Sequence, residues 1–200
     1  MPEPTRSHQP ALDSTQRILF DALTDRGVAG RTILEVGCGD GRLHRRLLDE
    51  GAVSAVGIEL QERYIVAAKD LARNENLDDR VTYYSDDFME LADALVPADI
   101  VILDKVVHCT HDPERLIRLS TATARSLYAV AFPAPRPLLR TSMRLLGPLL
   151  RLALPFRVRF SPPEQIRSWI RENGFERVFR QETEMWHVEI YEKAATLDPL

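Results

Sequence analysis

Short apolar runs alternate along the chain with stretches in which apolar residues recur every three or four positions. The runs are rich in β-branched residues and predict buried strands, at about residues 32–36, 55–60, 81–84, 99–103 and 127–132. The periodic stretches predict helices, at about residues 13–26, 41–50, 61–73, 112–125 and 163–173. Because strands and helices take turns, we expect a parallel, doubly wound α/β sheet.

Two segments near the end of the chain extend this pattern. Residues 176–182 and 185–192 are predicted to be two strands joined by a short turn. The polar start of the chain, residues 1–12, is predicted to be a flexible arm, and residues 196–200 a tail. The residues between them, 13–195, are expected to form a single domain, since their number suits one hydrophobic core.

The composition is that of a soluble globular protein, with 44% hydrophobic and 28% charged residues in a chain of 200. Two cysteines, Cys38 and Cys109, are too few for a disulfide framework and lack the C-x-x-C spacing of many metal sites. Residues 1–10 lack the apolar core of a signal peptide, and no apolar run approaches the roughly 20 residues that span a bilayer. We therefore expect a cytoplasmic protein.

The net charge of −4 is unevenly distributed. Residues 115–163 contain nine arginines and no lysine, aspartate or glutamate, so this segment carries +9 and the rest of the chain −13. Within it, residues 133–160 interrupt the alternation of strands and helices, and Arg136, Arg140 and Arg144 are spaced four apart. This insert is predicted to cover the substrate and to contact anionic groups or a membrane surface. The alternative is an amphipathic helix whose arginines are simply solvated.

The first predicted strand ends in a glycine-rich turn with Gly37, Gly39 and Gly41 at alternate positions. Leucines at helical spacing follow, so we expect a strand, a tight turn and a helix, which together let a ligand lie against bare backbone. The spacing differs from the G-x-G-x-x-G of dinucleotide-binding proteins. The nearby carboxylates Glu35 and Asp40 disfavour a pyrophosphate but suit a ligand with an ammonium group and a positively charged sulfur. The alternative is an ordinary turn whose glycines allow close packing.

The segment from Glu35 to Gly41, E-V-G-C-G-D-G, resembles the first motif of the class I S-adenosylmethionine-dependent methyltransferases, E-x-G-x-G-x-G. The resemblance extends over about residues 15–132 and, in outline, over the final hairpin. It implies a Rossmann-like, mostly parallel seven-stranded sheet that ends in an antiparallel hairpin. It also implies S-adenosylmethionine as the cofactor and S-adenosylhomocysteine as the product. A metal is not expected, since the acidic residues of the metal-dependent members are missing after the fifth strand.

Residues are assigned to the cofactor on two grounds, their position at the end of a predicted strand and the resemblance to the methyltransferases. Glu59 ends the second predicted strand, where nucleoside-binding α/β folds place a carboxylate that accepts hydrogen bonds from the ribose hydroxyls. Its alternative role is a charge at a helix N-terminus. The resemblance assigns the adenine amino group to Asp86 or Asp87, without deciding between them, and the adenine ring to Phe88. The other residues that it assigns to the cofactor are Glu35, Gly37, Cys38, Gly39, Gly41, Leu60 and Asp104.

Methyl transfer is an in-line displacement, so the protein has to position the reactants and to remove a proton from the acceptor. His108 follows the tip of the fourth predicted strand, where open α/β sheets bind ligands, and is the candidate general base. Alternatively, it only lines the site or caps the next helix. His111 is assigned to a helix start, and His187 to a structural role.

The sequence therefore predicts a methyltransferase for a small hydrophobic or anionic metabolite, with oxygen as the expected methylated atom. Two other functions stay open. One is a catalytically idle partner subunit that binds S-adenosylmethionine, and the other is an NAD(P)-dependent oxidoreductase, which the loop carboxylates disfavour. A nucleic-acid partner is not expected, because the chain is acidic and its basic segment has few aromatic side chains. The oligomeric state is left open.

Overall fold

The computed structural model describes residues 11–134 and 161–195. The strands are β1 (Thr32–Val36), β2 (Ser54–Glu59), β3 (Val81–Ser85), β4 (Ala98–Asp104), β5 (Ala124–Pro133), β6 (Phe175–Glu182) and β7 (Trp186–Lys193). The helices are α1 (Ser14–Thr24), α2 (Arg42–Asp49), α3 (Glu62–Asn74), α4 (Phe88–Leu91), α5 (Pro113–Ala122) and α6 (Pro163–Glu172), and a 3₁₀ turn spans Ala92–Ala94.

The strands form one seven-stranded sheet in the order β3-β2-β1-β4-β5-β7-β6. Neighbouring strands from β3 to β5 are parallel, whereas β7 is antiparallel to both β5 and β6. The chain moves outward from β1 to β3 and then continues on the other side of β1 with β4. The predicted doubly wound, mostly parallel sheet with a C-terminal antiparallel hairpin is therefore confirmed.

Two elements differ from the sequence-based prediction. Strand β5 begins at Ala124 rather than at residue 127, because α5 already ends at Ala122. The short helix α4 was not predicted. It follows β3 directly and packs Phe88 and Met89 into the core.

Both faces of the sheet are covered, which explains why apolar residues of the central strands point to both faces. Along β4, Ile100 and Ile102 belong to a buried cluster with the leucines of α1 and α2. Val101 and Leu103 point to the opposite face and belong to a second cluster with the isoleucines of α5 and α6. The two core layers hold the strand ends, and thus the loops that follow them, in fixed positions.

Several predictions lie outside the described residues. They concern the first ten residues of the arm, the tail at 196–200 and most of the insert at 133–160. The arginines of the insert that are predicted to contact the substrate therefore also lie outside the described residues: Arg136, Arg140 and Arg144. Over 11–134 and 161–195, no helix is both long and apolar enough to cross a lipid bilayer.

Candidate functional site

The carboxyl ends of β2, β1 and β4 are neighbours at one edge of the sheet. The loops that follow them, at residues 37–41, 60–61 and 105–112, therefore lie side by side. The strand order reverses between β1 and β4, and open α/β sheets bind their ligands at such a switch point. Of the predicted site residues that the structure describes, Glu59, Asp104 and His108 lie at or just after these strand ends.

The three glycines of the first loop have different surroundings. A Cβ at position 37 would lie 2.5 Å from Val106 Cγ2, and one at position 41 would lie 2.7 Å from the His44 ring, so both positions need glycine for packing. Gly39 has a left-handed φ of +55°, and a Cβ there would have no described atom within 4 Å. The backbone of Gly39 is thus open on the side where a side chain would stand, as a ligand cradle requires.

Glu59 lies at the end of β2 and is fixed against this loop. Its Oε2 accepts the backbone N–H of Gly39 at 3.2 Å, and its Oε1 accepts that of Gln61 at 3.0 Å. Each carboxylate oxygen can accept a further hydrogen bond, so the group is oriented and still able to bind hydroxyls. The next residue, Leu60, is 69% exposed and offers an apolar surface beside the carboxylate.

The residues after β3 are held by the start of α4. Asp87 caps this helix, because its Oδ1 accepts the backbone N–H of Met89 at 2.8 Å. Asp86 is exposed, and its Oδ1 accepts the N–H of Asp87 at 2.8 Å. Phe88 is only 3% exposed and packs in the core, which the sequence did not indicate. Contact of these residues with adenine stays a prediction.

The two carboxylates near the glycine loop are already paired. Glu35 is 2% exposed, and its Oε2 lies 2.6 Å from Nδ1 of the buried His44. Asp40 forms an ion pair with Arg42 at 2.7 Å. The sequence placed both carboxylates beside the ligand, and the structure shows that each also has a partner within the protein. Glu59 and Asp104 end neighbouring parts of the same edge, and both have oxygens that can accept further hydrogen bonds.

Asp104 ends β4 with a side chain that is 6% exposed. Its Oδ1 has no hydrogen-bond partner among the described residues, and its Oδ2 lies 3.4 Å from Lys105 Nζ. Lys105 Nζ is closer to Asp13 Oδ2, at 2.5 Å, and so ties the start of α1 to this strand end. Burial raises the pKa of Asp104 to about 7. A buried acceptor of this kind fits a ligand that brings a cationic N–H donor.

The raised pKa of Asp104 predicts how stability changes with pH. A group whose pKa is higher in the folded state stabilises the fold fully below its unfolded pKa and loses that contribution as pH rises through the folded value. The window is thus from about pH 4 to about pH 7. As pH rises through this window, the free energy of unfolding of the native protein should fall relative to that of Asp104→Asn, by on the order of 4 kcal/mol at most. Urea unfolding at pH 4 and pH 8 measures the difference.

Asp99, at the opposite end of β4, provides the control for this experiment. Its Oδ2 accepts the N–H and the hydroxyl of Thr32, both at 2.9 Å, and the backbone bond in particular lowers the pKa of Asp99. Its contribution is therefore present above the unfolded pKa and is lost as pH falls. Asp99→Asn should destabilise the protein at pH 8, the opposite sign from Asp104→Asn. If both variants changed the free energy of unfolding at pH 8 in the same direction, the opposite pKa shifts assigned to Asp99 and Asp104 would be contradicted.

His108 lies in the loop after β4 and is half-buried. Its Nδ1 has no hydrogen-bond partner in the part of the chain that the structure describes, and its Nε2 is 3.5 Å from Cys109 Sγ. Burial lowers the pKa of His108, which favours the neutral imidazole that can accept a proton. Burial also raises the pKa of the Cys109 thiol, which disfavours a thiolate nucleophile.

Trp186 lies beside His108, a neighbour that the sequence did not reveal. It begins β7, opposite Pro133 at the end of β5, and its ring centroid lies 5.3 Å from that of His108. Lys105 Nζ lies 5.9 Å from the centroid of the same ring. The antiparallel direction of β7 brings this tryptophan to the edge where the parallel strands end, a contact that no local pattern signals.

A cavity of about 570 Å³ lies between the first turns of α5 and α6. His111, predicted at a helix start, lines it just before the capping residue Asp112, and Trp169 contributes an aromatic wall. His187, predicted to be structural, is buried against the ring of Phe132. No group of three metal-ligating side chains is assembled within the two described segments.

Comparison with known proteins finds methyltransferases. Residues 33–127 match the protein family described as "Methyltransferase domain". The chain is 31% identical over 97 residues to 27-O-demethylrifamycin SV methyltransferase from Amycolatopsis mediterranei, covering 48% of this chain and 36% of that protein. It is 39% identical over 57 residues to a ribosomal protein methyltransferase from Erwinia tasmaniensis, covering 28% and 20%. The chain thus spans about a third or less of the length of these curated relatives.

Among solved structures, magnesium protoporphyrin IX methyltransferase from Synechocystis with bound S-adenosylhomocysteine superposes with a TM-score of 0.73. The superposition covers 90% of this chain and 82% of the other, at 21% sequence identity. At this level of identity the likeness shows the fold alone.

Proposed function

We propose that this chain, whose residues 33–127 match a methyltransferase domain family, transfers a methyl group from S-adenosylmethionine to a small acceptor molecule. A similar solved structure, a methyltransferase, contains S-adenosylhomocysteine, the product left when S-adenosylmethionine gives up the methyl group that its sulfonium activates. The observation that carries the proposal is the open backbone of Gly39 beside the doubly anchored carboxylate of Glu59. We further propose that residues 13–195 act as one domain.

The nucleoside end of the cofactor is assigned to the ends of β2 and β3. Glu59 accepts hydrogen bonds from the ribose hydroxyls, for which its two oxygens are already oriented. Leu60 provides exposed apolar surface next to it. One of the two carboxylates after β3, Asp86 or Asp87, accepts a hydrogen bond from the adenine amino group, and each is oriented by one backbone N–H.

The methionine end is assigned to the glycine loop and to the end of β4. Gly39 lets the ligand approach the backbone closely. The unpartnered Oδ1 of Asp104 accepts a hydrogen bond from the α-ammonium group, which also stabilises the ionised form of this buried carboxylate. Asp104 therefore supplies the negative charge that the sequence had assigned to Glu35 and Asp40.

His108 is proposed as the general base. The acceptor oxygen attacks the methyl carbon in line with the breaking C–S bond, and S-adenosylhomocysteine leaves. The proton of the acceptor hydroxyl passes to Nδ1 of His108, which has no partner of its own in the described structure. The neighbouring ring of Trp186 limits where an acceptor can lie, because its centroid is 5.3 Å from that of His108.

The acceptor is proposed to be hydrophobic or anionic and to be methylated at oxygen in the cytoplasm. The ring of Trp186 and the cavity beside Trp169 offer apolar surface. The arginines of the insert, Arg136, Arg140 and Arg144, are assigned to anionic groups of the acceptor or of a membrane surface. Two of the three similar proteins carry the name of a small organic molecule, 27-O-demethylrifamycin SV in one and magnesium protoporphyrin IX in the other. The first of these names refers to a demethylated oxygen. The free thiols of Cys38 and Cys109 fit a reducing compartment.

Transfer of labelled methyl from S-adenosylmethionine into an extract of the source cells tests this function. The extract is separated into organic, aqueous and macromolecular fractions after incubation. We expect label in the organic fraction or, for an anionic acceptor, in the aqueous one. Label on protein or RNA would overturn the small-molecule assignment. No label, with the cofactor still bound, would favour an idle binding subunit.

Titration with S-adenosylhomocysteine and with NAD separates the proposed function from an oxidoreductase. We expect binding of S-adenosylhomocysteine and no binding of NAD, since the loop lacks the G-x-G-x-x-G spacing. Binding of NAD alone would contradict the cofactor assignment.

A further inference from the structure

A buried chain of three polar side chains lies under the glycine loop. Nδ1 of His44 is 2.6 Å from Oε2 of Glu35, and Nε2 of His44 is 3.0 Å from the hydroxyl of Tyr83. Glu35 and His44 are fully buried, and Tyr83 is half-buried. The chain connects β1, α2 and β3, the three elements that surround the loop.

The strand register explains how the three groups meet. Glu35 pairs with Gly57 and Gly57 pairs with Tyr83, so the three residues form one row across β1, β2 and β3. Residues in one row of a parallel sheet point to the same face. A Cβ on Gly57 would lie 2.9 Å from ring carbons of Tyr83 and from Cys38 Sγ. Because Gly57 has no side chain, the Tyr83 ring can occupy the space above it. His44, on α2, contacts both Glu35 and Tyr83 and so connects the two ends of the row.

The network touches the loop at its third glycine. A Cβ on Gly41 would lie 2.7 Å from His44 Nε2 and 2.8 Å from the Tyr83 hydroxyl, so both groups pack directly against that backbone. Gly41 also precedes α2, the helix that carries His44. The position of the loop is thus coupled to hydrogen bonds that lie below it.

We propose that Glu35, His44 and Tyr83 are positioning residues that hold the glycine loop in the shape that binds the cofactor. This inference rests on the proposed function. In this inference Glu35 does not touch the cofactor itself, because its carboxylate is buried and faces His44. The carboxylate acts through the imidazole and the phenol on the backbone from Gly39 to Gly41.

The chemistry of the three groups is matched. The imidazole donates from Nδ1 to the Glu35 carboxylate and accepts at Nε2 from the Tyr83 hydroxyl, an assignment that gives every group a partner. Burial raises the pKa of Tyr83 to about 12, so the phenol stays protonated and can donate. Glutamine at position 44 could also donate and accept, whereas phenylalanine at position 83 keeps the ring and removes the donor.

Calorimetric titration with S-adenosylhomocysteine tests the inference on Tyr83→Phe, His44→Gln and the control Tyr84→Phe. Tyr84 is the exposed neighbour on the same strand, so its variant makes the same chemical change away from the network. We expect Tyr83→Phe to weaken binding about tenfold, since His44 loses its donor and Arg45, which also donates to the Asp40 carbonyl in the loop, loses the phenol oxygen. His44→Gln should stay within about threefold of the native protein, because it retains both hydrogen-bonding functions. Tyr84→Phe should bind as the native protein does.

The melting temperature of each variant is measured with and without S-adenosylhomocysteine. A merely structural role lowers both temperatures equally, whereas a positioning role also reduces the increase that the ligand produces. Native affinity in Tyr83→Phe would overturn the inference and leave the proposed function intact. Absence of binding to the native protein would overturn the proposed function and this inference with it.

Discussion

Glu59→Ala should weaken binding of S-adenosylhomocysteine by about a hundredfold or more, because two charge-assisted hydrogen bonds to ribose are lost together. The effect is expected to be large since the carboxylate also holds Gly39, whose N–H it accepts at 3.2 Å. The fold should persist, because Glu59 lies at the end of β2 and outside both core clusters. Isothermal titration calorimetry gives the affinity, and circular dichroism reports the fold.

Glu62→Ala is the matched control for this variant. Glu62 is an exposed acid in the first turn of α3, three positions further along the chain, and its removal changes the net charge equally. Its affinity for S-adenosylhomocysteine should equal that of the native protein. If Glu59→Ala bound as tightly as Glu62→Ala, the assignment of Glu59 to ribose would have to be abandoned.

His108→Gln should lower methyl transfer by about a hundredfold or more while the affinity for S-adenosylhomocysteine stays unchanged. Glutamine keeps a polar side chain of similar size but cannot take up the proton of the acceptor. The measurement is the initial rate of label transfer in the fraction that contains the acceptor. A parallel loss of ligand affinity would instead indicate that His108 contributes to cofactor binding.

The pH dependence of the native rate provides a second readout for His108. A general base has to be unprotonated, so the rate should fall as pH decreases through the pKa of His108. Burial places that pKa below the ordinary value of about 6.5, and the rate should therefore be constant from neutral pH upward. Cys109→Ser, which changes the thiol next to His108 Nε2, should leave both the rate and its pH dependence unaltered.

Much of the fold could be predicted from the sequence, because strands and helices differ in the local spacing of apolar residues. The five parallel strands, the glycine turn and the terminal hairpin are all confirmed. The positions of Glu59, Asp104 and His108 at one edge also followed from sequence, since consecutive parallel strands end on the same side of a sheet. Helix α4 escaped prediction because four residues are too few to show a helical period.

The partners of the site residues were decided by the tertiary structure alone. Glu35 looks like a ligand residue in the sequence, yet the register of β1 and the position of α2 bury it against His44. Trp186 meets His108 only because β7 runs antiparallel to β5.

The sequence by itself determined the class of fold, the glycine loop and the strand ends that line the site, because these depend on local periodicity and on turn chemistry. Tertiary structure decided the partners of the carboxylates: Glu35 is paired with His44 and Asp40 with Arg42, whereas Oδ1 of Asp104 has no partner among the described residues. The physical reason is that hydrogen bonds, burial and pKa shifts depend on groups far apart in the chain, which only packing brings together.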